Sequence, residues 1–153
     1  MEYAEASAKD FERILDFFKL VDKDFVPPLS EREPLEKRIR NTMKDGHYII
    51  LEDKKNIVAI QGFIENYRGK KNHVYLTFFA VHPKYRQRGI GISFKKKVLR
   101  ILKSMETKEV HTRTWSTNAP MIKLNGKLGF KVEKIAKNER GKGIDSIYFK
   151  KKL

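Results

Sequence analysis

Apolar residues recur along the chain in two periods, one helical and one extended. Phe11, Ile14, Leu15 and Phe18 fall at helical spacing, with Ser7 and Asp10 ahead of them as a capping box, so a helix is expected to run to about Val21. Tyr3 to Ala6 before it suits a short strand, and Asp22 to Ser30 after it holds Pro27-Pro28 and reads as a loop. Leu35, Ile39 and Met43 mark a second helix. Ser30 with Glu33 suggests another capping box there, Pro34 lies near the first turn, and Gly46 suits the C-terminal stop.

The period then shortens. Tyr48 to Glu52 and Ile57 to Tyr67 are β-branched and aromatic runs, separated by the polar turn Asp53-Lys54-Lys55-Asn56. A turn at Gly69 to Asn72 and His73 lead into Val74 to Val81, whose near-continuous apolar character predicts a strand buried on both faces. A helix is predicted to begin around Gly89 to Gly91, with Phe94, Val98, Ile101, Leu102 and Met105 as its apolar stripe. Lys95, Lys96, Lys97, Arg100 and Lys103 fall largely off that stripe. Glu109 to Trp115 reads as a strand, and Ser116-Thr117-Asn118 can cap a short helix ending at Gly129. Phe130 to Ala136 and Ile144 to Lys151 form a closing hairpin around Asn138 to Gly143. The predicted order is strand, two helices, three strands, helix, strand, helix, two strands, an α/β arrangement with a mixed sheet.

Composition narrows the setting. The 153 residues fit one domain, 1–153, with enough apolar content for a sizeable core. No apolar run reaches the roughly 18 residues of a membrane-spanning helix. Met1-Glu2-Tyr3-Ala4-Glu5 lacks the basic start and apolar stretch of a secretory signal. There is no cysteine, which excludes disulfides, thiolate metal sites and a Cys nucleophile. A cytoplasmic protein without membrane partners is expected. The 34 Lys and Arg against 19 Asp and Glu, a formal charge of +15, favour anionic partners without choosing among them.

The candidate chemistry sits in Arg86-Gln87-Arg88-Gly89-Ile90-Gly91, where a strand runs through a glycine turn into a helix. The first amides of a helix lack internal partners and carry partial positive charge, so such a turn can hold an anion. Gly89 and Gly91 allow close approach, and Arg86 and Arg88 add guanidinium donors. Taken alone, the same residues also read as a basic turn before a solvated helix. The turn lacks the third glycine of the dinucleotide fingerprint and the Gly-Lys-Ser/Thr of a P-loop.

Its context is more specific. Phe79-Ala80-Val81-His82-Pro83-Lys84-Tyr85 through Gly91 resembles the acetyl-coenzyme A motif of the GNAT superfamily of N-acetyltransferases. Asn118-Ala119-Pro120-Met121 through Leu128-Gly129-Phe130 resembles that family's second motif, and the element order is similar over nearly the whole chain. The resemblance implies a central sheet of six to seven strands flanked by about four helices. The fourth strand would splay from the fifth to admit pantetheine. Phe79, Ala80 and Val81 would pair with the pantetheine arm. Arg86, Gln87, Arg88, Gly89, Ile90 and Gly91, with Ile92, would hold the pyrophosphate, and Asn118 would lie near the thiol. It implies direct attack of a neutral amine on the thioester of acetyl-coenzyme A in a ternary complex, with a strand amide stabilising the oxyanion.

Many relatives carry Tyr after the leucine of the second motif as proton donor to the thiolate, whereas this chain has Leu124-Asn125. Asn125 can donate a hydrogen bond but no proton at neutral pH, and as readily serves structure. Glu65 and Tyr148 are candidate bases or relays, or ordinary sheet residues. His47, His73, His82 and His111 show no metal-ligand spacing, so no metal is expected.

The acceptor is not legible. Asp22, Asp24, Glu31, Glu33 and Glu36 suggest a cationic amine, or merely a favourable helix start; Arg140 and Lys142 suggest an anionic acceptor or RNA. Two other functions fit parts of the chain. One is an RNA- or ribosome-binding module using the Lys-rich helix and Lys150-Lys151-Lys152. The other is a non-catalytic coenzyme A sensor, motivated by Asn125. Either a monomer or a homodimer is compatible.

Overall fold

The computed structural model describes residues Met1–Leu153. Strand β1 (Glu2–Glu5) leads to helices α1 (Phe11–Val21) and α2 (Leu35–Asp45). Strands β2 (Gly46–Asp53), β3 (Asn56–Glu65) and β4 (His73–Val81) follow. Then come α3 (Ile90–Ser104), β5 (Glu109–Trp115), α4 (Ala119–Lys127), β6 (Lys131–Gly141) and β7 (Ile144–Lys152). This is the order and the mixed α/β class read from the sequence. The seven strands form one sheet in the order β1-β2-β3-β4-β5-β7-β6. All neighbours are antiparallel except β4 and β5, which are joined by the α3 crossover.

Two cores sandwich the sheet. Ile14, Phe18 and Val21 of α1 and Ile39 of α2 pack with Tyr48, Ile50, Phe78 and Ala80 on one face. Phe94, Val98 and Leu102 of α3 pack with Ile49, Leu51, Phe63 and Leu76 on the other. The capping box ahead of α1 is present, with the Ser7 amide donating to Asp10 Oδ2 at 2.8 Å. The second box does not form. Ser30 turns to Asp22, its amide donating to Oδ1 at 2.9 Å, Glu33 pairs with Arg38, and Pro34 takes the cap position of α2. A proline there preorganises the helix start without needing a side-chain cap.

Gly46 ends α2 through lack of space rather than through a left-handed turn. Its φ is −165°, and a Cβ there would lie 1.9 Å from the Phe63 carbonyl oxygen. Gly129 does act as a left-handed stop, with φ of +86° after α4. The Phe130 amide reaches Asn125 O at 3.0 Å and the Gly129 amide reaches Gly126 O at 3.1 Å, the paired closing bonds of a Schellman turn.

Strand β4 carries a bulge that orients everything downstream. Gly62 of β3 faces Phe78 but Phe63 faces Leu76, so Thr77 is the extra residue. The bulge exchanges the faces of the strand: Val74 and Leu76 join the α3 core, while Phe78 and Ala80 join the α1/α2 core. Both faces of β4 are therefore packed, as its apolar run predicts, although individual positions alternate between buried and half-buried.

Candidate active site

The bulge coincides with the place where the sheet opens. β4 and β5 pair only over His73↔Glu109, Val74↔Val110 and Tyr75↔His111, and β5 then stays with β7 as far as Trp115↔Ser146. From Leu76 onward β4 keeps β3 as neighbour and has no strand on its other edge. Bulges raise local twist, which accounts for the divergence at Thr77. Gly62 makes room for it: a Cβ there would sit 2.5 Å from Thr77 Oγ1 and 2.7 Å from Tyr48 Cε1.

Between the parted strands lies a cleft of about 480 Å³, walled by β4 from Tyr75 to Val81 and by Thr112 to Trp115 of β5. Gln61 Oε1 and Thr77 Oγ1 are buried on this lining without hydrogen-bond partners. Buried polar atoms without partners are uncommon and mark places where a ligand or water completes the bonding. Asn118 caps α4 at the cleft rim; its Nδ2 donates to Thr114 Oγ1 at 2.9 Å and its Oδ1 accepts from the Met121 amide at 3.4 Å.

At the open end, the chain passes through exposed Arg86 to Gly89 into α3. Gly89 is the left-handed cap of that helix, with φ of +74°, and Gln87 is also left-handed at +62°. A Cβ on Gly91 would meet Phe79 Cζ at 3.7 Å and Val81 Cγ2 at 3.8 Å, so the first turn of α3 lies directly against the cleft-lining part of β4. Arg86 is engaged within the protein, donating from Nε to Val81 O at 2.9 Å and pairing with Asp24 at 2.8 Å. Arg88 lies over the Tyr85 ring.

Lys95, one turn into α3, is buried at 3% exposure and lines the cleft with no carboxylate near it. Its Nζ lies 4.4 Å from the Phe79 ring centroid. Burial pulls its pKa down to about 7. In the sequence Lys95 groups with the basic residues that fall largely off the apolar stripe. The signal that identifies it is its position, four residues after Gly91 and three before Val98, on the buried stripe of the helix.

The far end, near Tyr75, is rich in arginine. Arg32, Arg38, Arg113 and Arg140 all line the cleft, from the loop before α2, from α2, from β5 and from the end of β6. Of the acidic residues that suggested a cationic acceptor, only Asp24 and Glu33 line the cleft, and both are spent on arginines: Asp24 on Arg86, and Glu33 on Arg38 at 3.5 Å.

A model of the acetyltransferase (GNAT) family matches residues 14–130. The chain belongs to the GNAT family of acetyltransferases. Solved structures agree on the fold. The ribosomal-protein-S18-alanine N-acetyltransferase from Escherichia coli superposes with a TM-score of 0.82 at 18% identity, over 99% of this chain and 93% of its own. A GNAT-family acetyltransferase from Streptococcus pneumoniae gives 0.82 at 17% identity, over 99% and 98%. The protein smu.2055 from Streptococcus mutans gives 0.81 at 21% identity, over 99% of each chain. No curated protein matches the sequence.

Within this GNAT fold, Phe79, Ala80, Val81, Arg86 and Asn118 line the cleft. Gln87, Arg88, Gly89, Ile90, Gly91 and Ile92 form the turn and first residues of α3 beside it. The three catalytic candidates are not brought there. Asn125 is buried within α4 with both side-chain amide atoms unpartnered. Glu65 is exposed at the end of β3 and pairs with His47 at 3.0 Å. Tyr148 donates to Glu139 at 2.9 Å and accepts from Arg113 Nη1 at 2.9 Å, outside the cleft lining. Among the histidines, strand pairing does what sequence spacing does not show. His73 Nδ1 lies 3.3 Å from His111 Nε2, and Glu109 Oε1 lies 3.5 Å from the same atom, at the closed end of the β4/β5 pair. No helix of the acetyltransferase is long and apolar enough to cross a membrane.

Proposed function

We propose that this chain transfers the acetyl group of acetyl-coenzyme A to a primary amine by direct attack within a ternary complex. The observation that carries the reading is the parting of β4 from β5 after Tyr75, which opens a cleft leading to the glycine turn of α3. The unpaired edge of β4 offers backbone groups from Leu76 to Val81 to an extended amide-bearing chain. The partnerless Gln61 Oε1 and Thr77 Oγ1 support the fit of such a polar ligand. The amides of Gly89 to Ile92, with Arg88, would hold the pyrophosphate, and Asn118 would meet the thiol end.

The bound donor supplies an activated acyl thioester. As the acceptor nitrogen bonds to the acetyl carbon, the carbon–sulfur bond breaks, the nitrogen sheds a proton and the sulfur gains one. Backbone amides on the free edge of β4 are the donors suited to the developing oxyanion. Lys95 is the group we assign to return a proton toward sulfur, because a buried ammonium with a pKa of about 7 donates readily at neutral pH.

Calorimetric titration with acetyl-coenzyme A tests the reading, followed by thiol release over a panel of amines. Saturable binding is expected, and Gly91→Glu should abolish it with an unchanged circular dichroism spectrum. The position has room for a Cβ, so the loss would come from a carboxylate facing the phosphates. Wild-type protein that shows no binding up to millimolar ligand, or a Gly91→Glu variant of full affinity, refutes it.

A further inference from the structure

Two guanidinium groups at the Tyr75 end of the cleft share one carbonyl and no counter-ion. Arg32 Nη2 donates to Val26 O at 3.1 Å and to Pro27 O at 3.0 Å. Arg140 Nη1 donates to the same Val26 O at 3.2 Å, and its Nε donates to Ser146 Oγ at 2.7 Å. Neither has a carboxylate within ion-pair distance, although both are half-buried. Arg32 Nε is buried with no partner. Desolvation, and then repulsion from Arg140, Arg38 and Arg113, bring the Arg32 pKa down to about 10. Arg140 is likewise lowered by burial and by Arg113, an effect partly offset by Tyr75 and by Glu139, whose carboxylate pairs with Arg113 at 3.3 Å.

A tether for the Val26–Pro27 loop would account for the bonds to carbonyls. It does not account for two like charges converging on one oxygen, nor for the idle Arg32 Nε. Partly desolvated cations normally sit beside an anion, and guanidinium donors match the paired oxygens of a carboxylate or phosphoryl group. The only carboxylates on the cleft wall are those of Asp24 and Glu33, each already bound to another arginine.

We propose that the acceptor is an amine that carries an anionic group, a carboxylate or a phosphoryl, held between Arg32 and Arg140 while its nitrogen faces the parted strands. This inference rests on the acetyl-transfer reading. The anion supplies the missing counter-charge and orients the amine along the cleft, so it contributes both affinity and alignment.

The test uses the full chain saturated with acetyl-coenzyme A and compares matched amines, with rates expressed per free amine. Glycine is set against glycinamide, O-phosphoethanolamine against ethanolamine, and spermidine stands for polycationic acceptors. The anionic member of at least one pair should have the higher kcat/KM, by about tenfold or more, as expected for a charge-assisted contact made in place of an unpaired cation. Which pair shows the preference tells carboxylate from phosphoryl. In Arg140→Gln the ratio should fall toward one. Equal rates within both pairs, a preference for spermidine, or no turnover of any anionic amine by protein that binds acetyl-coenzyme A overturns the anionic acceptor. Failure to bind acetyl-coenzyme A would instead remove the acetyl-transfer reading and this inference with it.

Discussion

Lys95 runs against its apolar surroundings. A lysine at 3% exposure beside Phe79, Val98 and Leu76 is costly when protonated, and no acid offsets the cost. Its folded pKa of about 7 lies below the ordinary lysine value of 10.5, so the unfolded chain holds the proton more tightly. The penalty is full at and below pH 7 and shrinks as pH rises toward 10.5, where both states are neutral. Lys95→Met should therefore raise the melting temperature most near pH 7 or below, with the gain fading across that window. The same variant should lose most of its acetyl transfer while still binding acetyl-coenzyme A. Melting curves over pH 6 to about pH 10 check the first claim, and a pH-independent gain contradicts it. Unaltered turnover would detach Lys95 from proton transfer. Asn125 makes a contrast: its side chain is buried in α4 and neither of its amide atoms has a hydrogen-bond partner.

At the scale of elements, the hairpin joining β2 to β3 shows where local preference yields to register. Lys54 and Lys55 form a two-residue turn with φ of +49° and +72°, values suited to Asn-Gly. Side-chain residues held there are disfavoured by about 1–2 kcal/mol each. The strands nevertheless pair in one register, because a slip by one residue would turn Ile50 and Ile60 out of the α1/α2 core. Lys55→Gly should raise unfolding free energy by roughly 0.5–1 kcal/mol, since the relief of strain exceeds the added chain entropy. Urea denaturation measures it, and a lower midpoint would show that the turn is not strained. The polar turn itself was legible from Asp53 to Asn56, but its handedness depended on the twist of the strands it joins. The bulge at Thr77 was hidden for a related reason. Gly62 inside an apolar strand signals a bulge or close approach, yet only the pairing of β3 with β4 shows that Thr77 is the extra residue.

The whole molecule carries +15 and gathers five arginines, Arg32, Arg38, Arg86, Arg113 and Arg140, along one cleft. Such a surplus attracts anionic ligands over long range and strains the compact state by self-repulsion, and salt screens both. Raising sodium chloride from about 0.05 M to 0.5 M should therefore raise the melting temperature of the free protein while weakening acetyl-coenzyme A binding. A melting temperature and an affinity that both stay unchanged would mean that the charges are already neutralised in pairs across the surface.

The sequence by itself determined the element order, the glycine turn at the start of α3 and the helix stop at Gly129, because each depends on neighbouring residues: apolar period, cap chemistry and positive φ. That local pattern was sufficient for the family resemblance. Tertiary structure alone decided that β7 enters between β5 and β6, that β4 leaves β5 after Tyr75, and that Lys95 faces the cleft. It also decided that Arg32 and Arg140 meet at Val26 O. Charges so distant along the chain meet only through the path of the backbone, and no periodicity in the sequence encodes that path.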